Sequence, residues 1–274
     1  MKLTYLGTNT LLFNKDNTAI LVDPHFTRPG MLRLLGKIRP DPQIITKGMA
    51  SAGIQGLDGI LLTHTHYDHA LDCTEVQHQA GGVLYGNQSA KNLAVGAGVD
   101  KNAFVQVAPR QAYPIGAFKV CFHPSQHVSF PLPFKWLMPA EGRITRPLHP
   151  STWFWHFQAG RTFAIQVNQA LIFGSAGFVP GAYNNCAVET VILGIGGLGI
   201  KPRAYLHQLY KAVVLETGAK QVWLSHWDDF FQPLDQKPHP MHLAQGSITR
   251  IKALGAQYGQ NVGMLEIGKS ISIE

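Results

Sequence analysis

Short apolar runs alternate with turn-forming residues along the whole chain. Residues 2–13 and 18–24 have the alternation and the β-branched content of strands, and Asn and Asp between them tolerate the left-handed backbone of a tight turn. Similar short runs predict further strands at 57–64, 81–86, 102–108, 118–124, 162–167, 170–174, 190–195, 221–226 and 262–268. The chain therefore predicts a protein rich in β-structure.

Helical spacing of apolar residues occurs in a few longer segments between these strands. It predicts helices over 69–80, 87–98, 204–218 and 245–259, three of which end at a glycine. Residues 27–56 contain Pro29, Pro40 and Pro42 and are expected to form an irregular loop. Strands with interspersed helices and without an internal repeat indicate a layered α/β or α+β domain over 1–274, interrupted by an aromatic and proline-rich insertion around 130–158.

Composition narrows the partners and the compartment. The formal net charge of +7 favours an anionic substrate, but the basic residues form no dense block, so nucleic acid is an improbable partner. The three cysteines are far apart and odd in number, which predicts a reducing, cytoplasmic location, although a removed leader stays compatible with the sequence. No apolar run reaches the roughly 18 residues that a membrane span requires. A homo-oligomer remains open.

The stretch LLTHTHYDHA at 61–70 concentrates groups that bind metals. His64, His66, Asp68 and His69 follow directly on an apolar strand. Imidazole nitrogens and a carboxylate suit Zn²⁺, and also manganese or iron. So many such groups in one short segment predict a site for one or two ions.

This HxHxDH segment resembles that of the metallo-β-lactamase superfamily, and the similarity extends over nearly the whole chain. The resemblance implies a four-layer αββα sandwich, an α+β fold. It implies a first metal site of His64, His66 and His127, a second of Asp68, His69 and His226, and an early aspartate at Asp23. The N-terminal hairpin, SHWDD at 225–229 and GIGGLG at 194–199 look most similar to the branch of ascorbate-6-phosphate lactonases and N-acyl phosphatidylethanolamine phospholipase D.

One position departs from the family pattern. The aspartate that bridges two ions in the family would stand in LIFGSAG at 171–177, where this chain has Ser175, and no aspartate occurs between His127 and His226. A neutral hydroxyl screens the repulsion between two cations poorly. Either the protein binds one ion firmly and a second weakly or not at all, or Asp228 or Asp229 acts as a substitute ligand.

The resemblance implies a metal-dependent hydrolase in which a metal-bound hydroxide attacks an ester, lactone or phosphodiester. Asp68 would orient the water or take its proton, and His226 or His69 would act as acid. The alternatives are a metal-binding or regulatory relative that has lost activity, which Ser175 favours, a nuclease, and iron-based oxygen or sulfur chemistry.

The substrate is predicted from weaker signals. Trp136, Arg143 and Arg146 in the insertion and His242 further on are candidates to contact a small or lipid-like anionic substrate, while Trp153 and Trp155 either line the site or pack locally. The glycines of GIGGLG match the letters of a nucleotide-binding loop, but the setting favours a turn beside the metal site.

Overall fold

Two seven-stranded sheets dominate the computed structural model, which describes residues 1–129 and 141–273. The first sheet contains β1 (Lys2–Tyr5), β2 (Leu11–Lys15), β3 (Thr18–Val22), β5 (Gly59–Leu61), β6 (Val83–Gly86), β7 (Phe104–Gln106) and β16 (Ser270–Ser272). The second contains β8 (Ala112–Ile115), β9 (Phe118–Pro124), β11 (Phe163–Val167), β12 (Ala170–Phe173), β13 (Thr190–Gly194), β14 (Gln221–Ser225) and β15 (Asn261–Met264). A small separate pair joins β4 (Lys37–Ile38) to β10 (Thr152–Trp153).

Both sheets combine an antiparallel half with a parallel half. The first has the order β16-β1-β2-β3-β5-β6-β7 and becomes parallel from β3 onward. The second has the order β15-β14-β13-β12-β11-β9-β8, and β12 to β15 are parallel. Parallel strands need crossover connections, and helices lie in all of these except the one from β12 to β13, which is a loop over residues 174–189. The loops that carry His64, Ser175 and His226 leave the carboxyl ends of the parallel strands β5, β12 and β14.

Six α-helices accompany the sheets in the described part of the chain: α1 (Pro42–Ser51), α2 (Tyr67–Ala70), α3 (Cys73–Ala80), α4 (Gln88–Gly96), α5 (Arg203–Tyr210) and α6 (His242–Tyr258). Short 3-10 turns cover Met31–Leu35, Lys101–Ala103, Phe154–His156 and Leu198–Ile200, and a π-helical turn over Lys211–Leu215 continues α5. None of the helices in these ranges is long and apolar enough to cross a membrane.

Alternation along the strands separates two hydrophobic layers. In β3, Ile20 and Val22 belong to the core between the two sheets, whereas Leu21 faces a second core beneath α1, α3 and α4. Successive side chains of a strand point to opposite faces, so a sheet that is buried on both faces is apolar at every position. Helices α5 and α6 pack on the other sheet through Leu206 and Ile251. The layers are helix, sheet, sheet and helix, which confirms the predicted αββα sandwich.

Most predicted elements are confirmed, and three predictions were wrong in detail. Residues 27–56 contain α1, the short strand β4 and a 3-10 turn as well as loop. Asp41 accepts hydrogen bonds from the backbone N–H groups of Gln43 and Ile44, and Pro42 occupies the first helical turn, so this proline starts a helix. The helix expected over 69–80 is divided into α2 and α3. The helix expected from 245 begins earlier, at His242.

Candidate metal centre

The candidate ligands and their neighbours follow the ends of five strands. His64 comes soon after β5, His127 after β9, and His226 directly after β14. Asp23 directly follows β3, and Ser175 comes two residues after the end of β12. Residues that leave neighbouring strands at their carboxyl ends meet at one edge of a sheet, which is where α/β proteins bind ligands. The fold therefore brings together, from the strand ends of both sheets, groups that lie more than a hundred residues apart in sequence.

The first cluster contains three histidines. One ring nitrogen of each of His64, His66 and His127 lies within 4.8 Å of the others. Nε2 of His64 is 3.1 Å from Nδ1 of His66, and the ring of His127 is centred 4.5 Å from that of His66. Three imidazoles this close could hold one divalent ion.

The second cluster contains Asp68, His69 and His226, again with one potential ligand atom per residue within 4.8 Å of the others. Oδ2 of Asp68 lies 3.2 Å from Nε2 of His226 and 3.5 Å from Nε2 of His69. The rings of His64 and His69 are centred 4.0 Å apart, so the two clusters adjoin each other. The sequence-based groupings of these six residues are thus the groupings that the structure brings together.

Buried hydrogen bonds fix the outer nitrogens of several rings. Nδ1 of His69 is 2.8 Å from Oδ2 of Asp23, Nδ1 of His64 is 3.0 Å from Oγ1 of Thr63, and Nδ1 of His127 is 2.8 Å from the carbonyl oxygen of Val128. Such partners select the tautomer and the orientation of a ring and leave the other nitrogen for a metal. Asp23 is completely buried and also accepts hydrogen bonds from Asn9 and Thr63.

Backbone strain accumulates around the centre. Among the described residues, Thr8, Asp23, Arg28 and His226 are non-glycine residues with φ between +43° and +53°. Left-handed backbone costs about 1 kcal/mol or more per residue and persists where surrounding contacts over-determine it. The backbone N–H of His226 donates to the carbonyl of Thr8 at 2.6 Å, which joins two of these strained positions.

The protonation of the clusters follows from burial and from two carboxylates. Desolvation, together with neighbouring histidines, holds the pKa of His64 and that of His127 well below the ordinary value, so both rings are neutral. Burial opposes charge on His69, but Asp68 and Asp23 outweigh it and raise its pKa. Burial likewise disfavours an ionised Asp68, yet His69 and His226 keep the pKa of Asp68 well below its usual range. Neutral imidazoles and an ionised carboxylate are the states that bind metals.

Ser175 lies directly beside the first cluster. It is buried, and its Oγ accepts a hydrogen bond from the backbone N–H of Val128 at 3.0 Å. A Cβ at the preceding Gly174 would lie 2.3 Å from Oγ1 of Thr63 and 2.9 Å from Oδ2 of Asp23, so this segment passes close to both supporting residues. Ser175 thus occupies a position next to the ligands but offers only a neutral hydroxyl.

The structure does not bring the proposed substitute ligands Asp228 and Asp229 into either cluster. The buried carboxylate of Asp228 pairs with Arg28 and accepts hydrogen bonds from Oη of Tyr5 at 2.5 Å and from the N–H of Thr8 at 2.9 Å. Burial disfavours its charge, but Arg28 and Tyr5 hold the pKa of Asp228 below the usual value. Asp229 accepts from the N–H of Phe231 and turns back on its own loop. Asp228 is therefore occupied by protein donors, which argues against a bridging role.

The predicted substrate contacts receive little help from the structure. Trp136 lies outside the described residues. Arg143 and Arg146 are exposed on either side of Ile144, whose backbone is held by Ser89 and Asn92 of α4. His242 is exposed at the start of α6. No described contact joins these three residues to the clusters, so their roles stay predictions. Trp153 and Trp155 stack on each other with their ring centres 4.7 Å apart.

GIGGLG forms a turn next to the second cluster, as expected. A Cβ at Gly196 would lie 2.9 Å from Nδ1 of His226, so only glycine leaves room for this ring. Gly197 has φ +81° and starts the 3-10 turn Leu198–Ile200. Nδ1 of His226 is buried, and no described residue hydrogen-bonds to it.

Sequence reasoning missed several supporting residues. No local sequence pattern marks the supporting residues Thr63, Asn9, Tyr5 and Arg28. Some of their hydrogen-bond partners lie up to 223 positions away. His25 is fully buried beside Tyr67 and Phe230, and neither ring nitrogen has a partner among the described residues. Desolvation, which outweighs a nearby Asp68, lowers the pKa of His25 to about 3. The position of His25, two residues after Asp23 in a loop from a strand end, was the available signal.

Comparison with known proteins decides the family. The model of the metallo-beta-lactamase superfamily matches residues 3–162, which is more than half of the chain. The chain belongs to the metallo-beta-lactamase superfamily. Among curated proteins it is similar to a UPF0173 metal-dependent hydrolase from Agrobacterium fabrum, at 32% identity over 101 residues. It is also similar to one from Christiangramia forsetii, at 30% identity over 92 residues.

These matches span about a third of each protein: 34% of this chain and 37% of the first relative, and 34% of both chains for the second. Solved structures match at full length. Igni18, a novel metallo hydrolase from Ignicoccus hospitalis, has a TM-score of 0.59 at 14% identity over 100% of this chain and 98% of its own. The metallo-beta-lactamase fold protein YhfI from Bacillus subtilis has the same TM-score and identity over 99% of both chains. At this identity the two structures show the shared fold.

Proposed function

We propose that this protein is a metal-dependent hydrolase whose ions are held by His64, His66 and His127, and by Asp68, His69 and His226. The observation that carries the proposal is the pair of adjoining ligand sets, each with its potential ligand atoms within 4.8 Å. The neutral state of His64 and His127 and the ionised state of Asp68 fit a cation at this place. The curated relatives carry the name metal-dependent hydrolase, which supports the same reading.

The chemistry of such a centre is hydrolytic. A divalent ion held by these residues would acidify a bound water to a pKa of about 7 and so would supply a nucleophile at neutral pH. Asp68, which is ionised and shared between His69 and His226, is placed to take a proton. Where the second cluster holds no ion, Asp68 would pass this proton to Nε2 of His226, 3.2 Å away, and His226 would deliver it to the leaving group.

We further propose Zn²⁺ as the ion and an anionic ester, lactone or phosphodiester as the substrate. Manganese and iron bind the same ligands, so the metal must be tested directly. The resemblance to ascorbate-6-phosphate lactonases and to N-acyl phosphatidylethanolamine phospholipase D supports a lactone and a phosphodiester as the first substrates to test. Ser175 favours one alternative, a relative that binds metal but turns over no substrate.

The test combines metal analysis with a substrate panel. Protein purified without added metal would be analysed for Zn, Mn and Fe, reloaded with each, and assayed on bis(4-nitrophenyl) phosphate, a 4-nitrophenyl ester and a lactone. Asp68→Asn should lower kcat by at least about 100-fold while the three-histidine cluster keeps its ion. His207→Ala, an exposed histidine on α5, is the control and should change neither quantity. Bound metal without turnover on any substrate would favour the inactive relative.

A further inference from the structure

A cavity lies outside the two ligand clusters of the candidate metal centre. It has a volume of about 710 Å³ and opens between the loop around residues 26–39, helix α1, the edge strand β16 and its neighbour β1. None of the six cluster residues lines it. A ligand in this cavity would therefore not occupy the candidate catalytic centre.

The lining of the cavity is strongly basic. Its charged residues are two aspartates, Asp41 and Asp235, and six basic residues: Lys2, Arg28, Arg33, Lys37, Arg39 and Lys47. One residue of each sign is engaged already, since Asp41 caps α1 and Arg28 pairs with Asp228. Five basic residues and one aspartate remain. Such an excess of one sign in a concave surface concentrates the potential and attracts anions.

Arg28 adds a buried donor to this wall. Its guanidinium donates to the carbonyl of Gln232 and to Oγ1 of Thr8, and it pairs with Asp228. Its Nε is buried and has no hydrogen-bond partner among the described residues. A buried N–H without a partner is rare and costs free energy, so an acceptor supplied by a ligand would satisfy it.

Exposed apolar side chains occur in the segments that line the same cavity. Met31, Leu32 and Leu35, in the 3-10 turn next to Arg33, are 66%, 84% and 79% exposed. Ile44 of α1, which lines the cavity, is 43% exposed. These four are a majority of the seven large apolar residues that are exposed in the described part of the chain. Clustering of exposed apolar residues marks an interaction surface.

We propose that this face docks on an anionic lipid surface, with a lipid phosphate in the basic cavity and Met31, Leu32 and Leu35 in the outer acyl layer. Stable attachment of a peripheral protein needs two signals, apolar insertion and attraction to anionic lipid, and this face supplies both. A second copy of the chain fits the face less well, because a symmetric contact would place the same basic residues against each other. The proposal is independent of the hydrolytic function.

Vesicle co-sedimentation tests the proposal with the full chain. Vesicles of phosphatidylcholine mixed in equal parts with phosphatidylglycerol should bind the protein, and pure phosphatidylcholine vesicles should bind it at least about tenfold more weakly. Leu32→Ser/Leu35→Ser and Lys37→Glu/Lys47→Glu should each weaken binding to anionic vesicles about tenfold or more. All four residues are exposed, so the variants should fold, which circular dichroism checks.

The matched control is Lys101→Glu/Lys252→Glu, which makes the same charge change at exposed lysines outside the cavity. Retained binding in this control, together with loss in both test variants, would support the proposal. An equal loss of binding in the control would mean that net charge alone causes the binding, and it would overturn the proposal. Binding of soluble dihexanoyl phosphatidic acid without any binding to vesicles would overturn docking in favour of a free small anion. Failure to bind either would also overturn it.

Discussion

Oδ2 of Asp23 lies 2.8 Å from Nδ1 of His69, in a completely buried contact between the loop after β3 and helix α2. The same oxygen accepts from Nδ2 of Asn9 and from Oγ1 of Thr63, and Thr63 in turn contacts Nδ1 of His64. One carboxylate thus supports a histidine of each cluster. Its strained backbone, with φ +44°, is consistent with a position set by the site.

Asp23→Asn should lower metal affinity by about 10- to 100-fold, because an amide places N–H groups where three donors now converge. The rings of His69 and His64 would lose their fixed orientation. Metal titration with a competing chelator measures the effect. Asp58→Asn is the matched control, since Asp58 accepts a backbone hydrogen bond from Ala19 in an exposed region. Equal affinities of Asp23→Asn and Asp58→Asn would exclude a supporting role for Asp23.

Ser175→Asp should raise the bound metal from about one ion per chain to about two. One carboxylate oxygen can keep the hydrogen bond from the N–H of Val128, while the charge offsets the repulsion between two cations. Elemental analysis of protein purified without added metal gives the count. Ser175→Asn introduces a side chain of the same size as aspartate but without the charge, so this variant should still bind about one ion per chain. Two ions already in the unmodified protein would sink this prediction and require another bridging ligand.

Asp228→Asn should reduce the free energy of unfolding by about 3–5 kcal/mol, because it leaves the buried guanidinium of Arg28 without its counter-charge. Asp229→Asn should cost less than about 1 kcal/mol, since Asp229 is partly exposed and accepts one described hydrogen bond, from Phe231. Urea unfolding of both variants measures the difference. If Asp228→Asn changed the free energy of unfolding little but altered metal binding, Asp228 would again be a candidate metal ligand.

Local sequence spacing predicted much of the candidate site. The features that it missed depend on contacts between residues far apart in the sequence. His64, His66, Asp68 and His69 could be recognised because they stand within six positions. His127 and His226 were found only through the resemblance to the superfamily. The alternative of ligation by Asp228 is disfavoured by its contact with Arg28, 200 positions away, which no local pattern reveals. The prolines of 27–56 led to the prediction of a loop. Asp41 and Pro42 instead start helix α1, and this capping pattern is a local signal that the prediction did not use.

The buried histidine of β9 provides a test of how folding depends on pH. Nε2 of His123 lies 3.0 Å from Oε1 of Gln166, and Nδ1 lies 3.3 Å from Sγ of Cys186. Desolvation, only partly offset by Gln166, lowers the pKa of His123 below its ordinary value of 6.5. Below that value the unfolded chain binds a proton that the folded chain does not, so His123 reduces stability as the pH falls.

His123→Gln removes this proton and can keep a hydrogen bond to Gln166, so its stability relative to the unmodified protein should improve on going from about pH 8 to about pH 5. All other ionisable groups are common to the two proteins, so their contributions cancel in the difference. Urea unfolding at the two pH values measures it. His207→Gln should show no such improvement, because His207 is exposed on α5 and keeps its contact with water in both states. A difference independent of pH would mean that His123 titrates alike in the folded and unfolded chain, and a difference of opposite sign would mean that the folded protein stabilises its charged form.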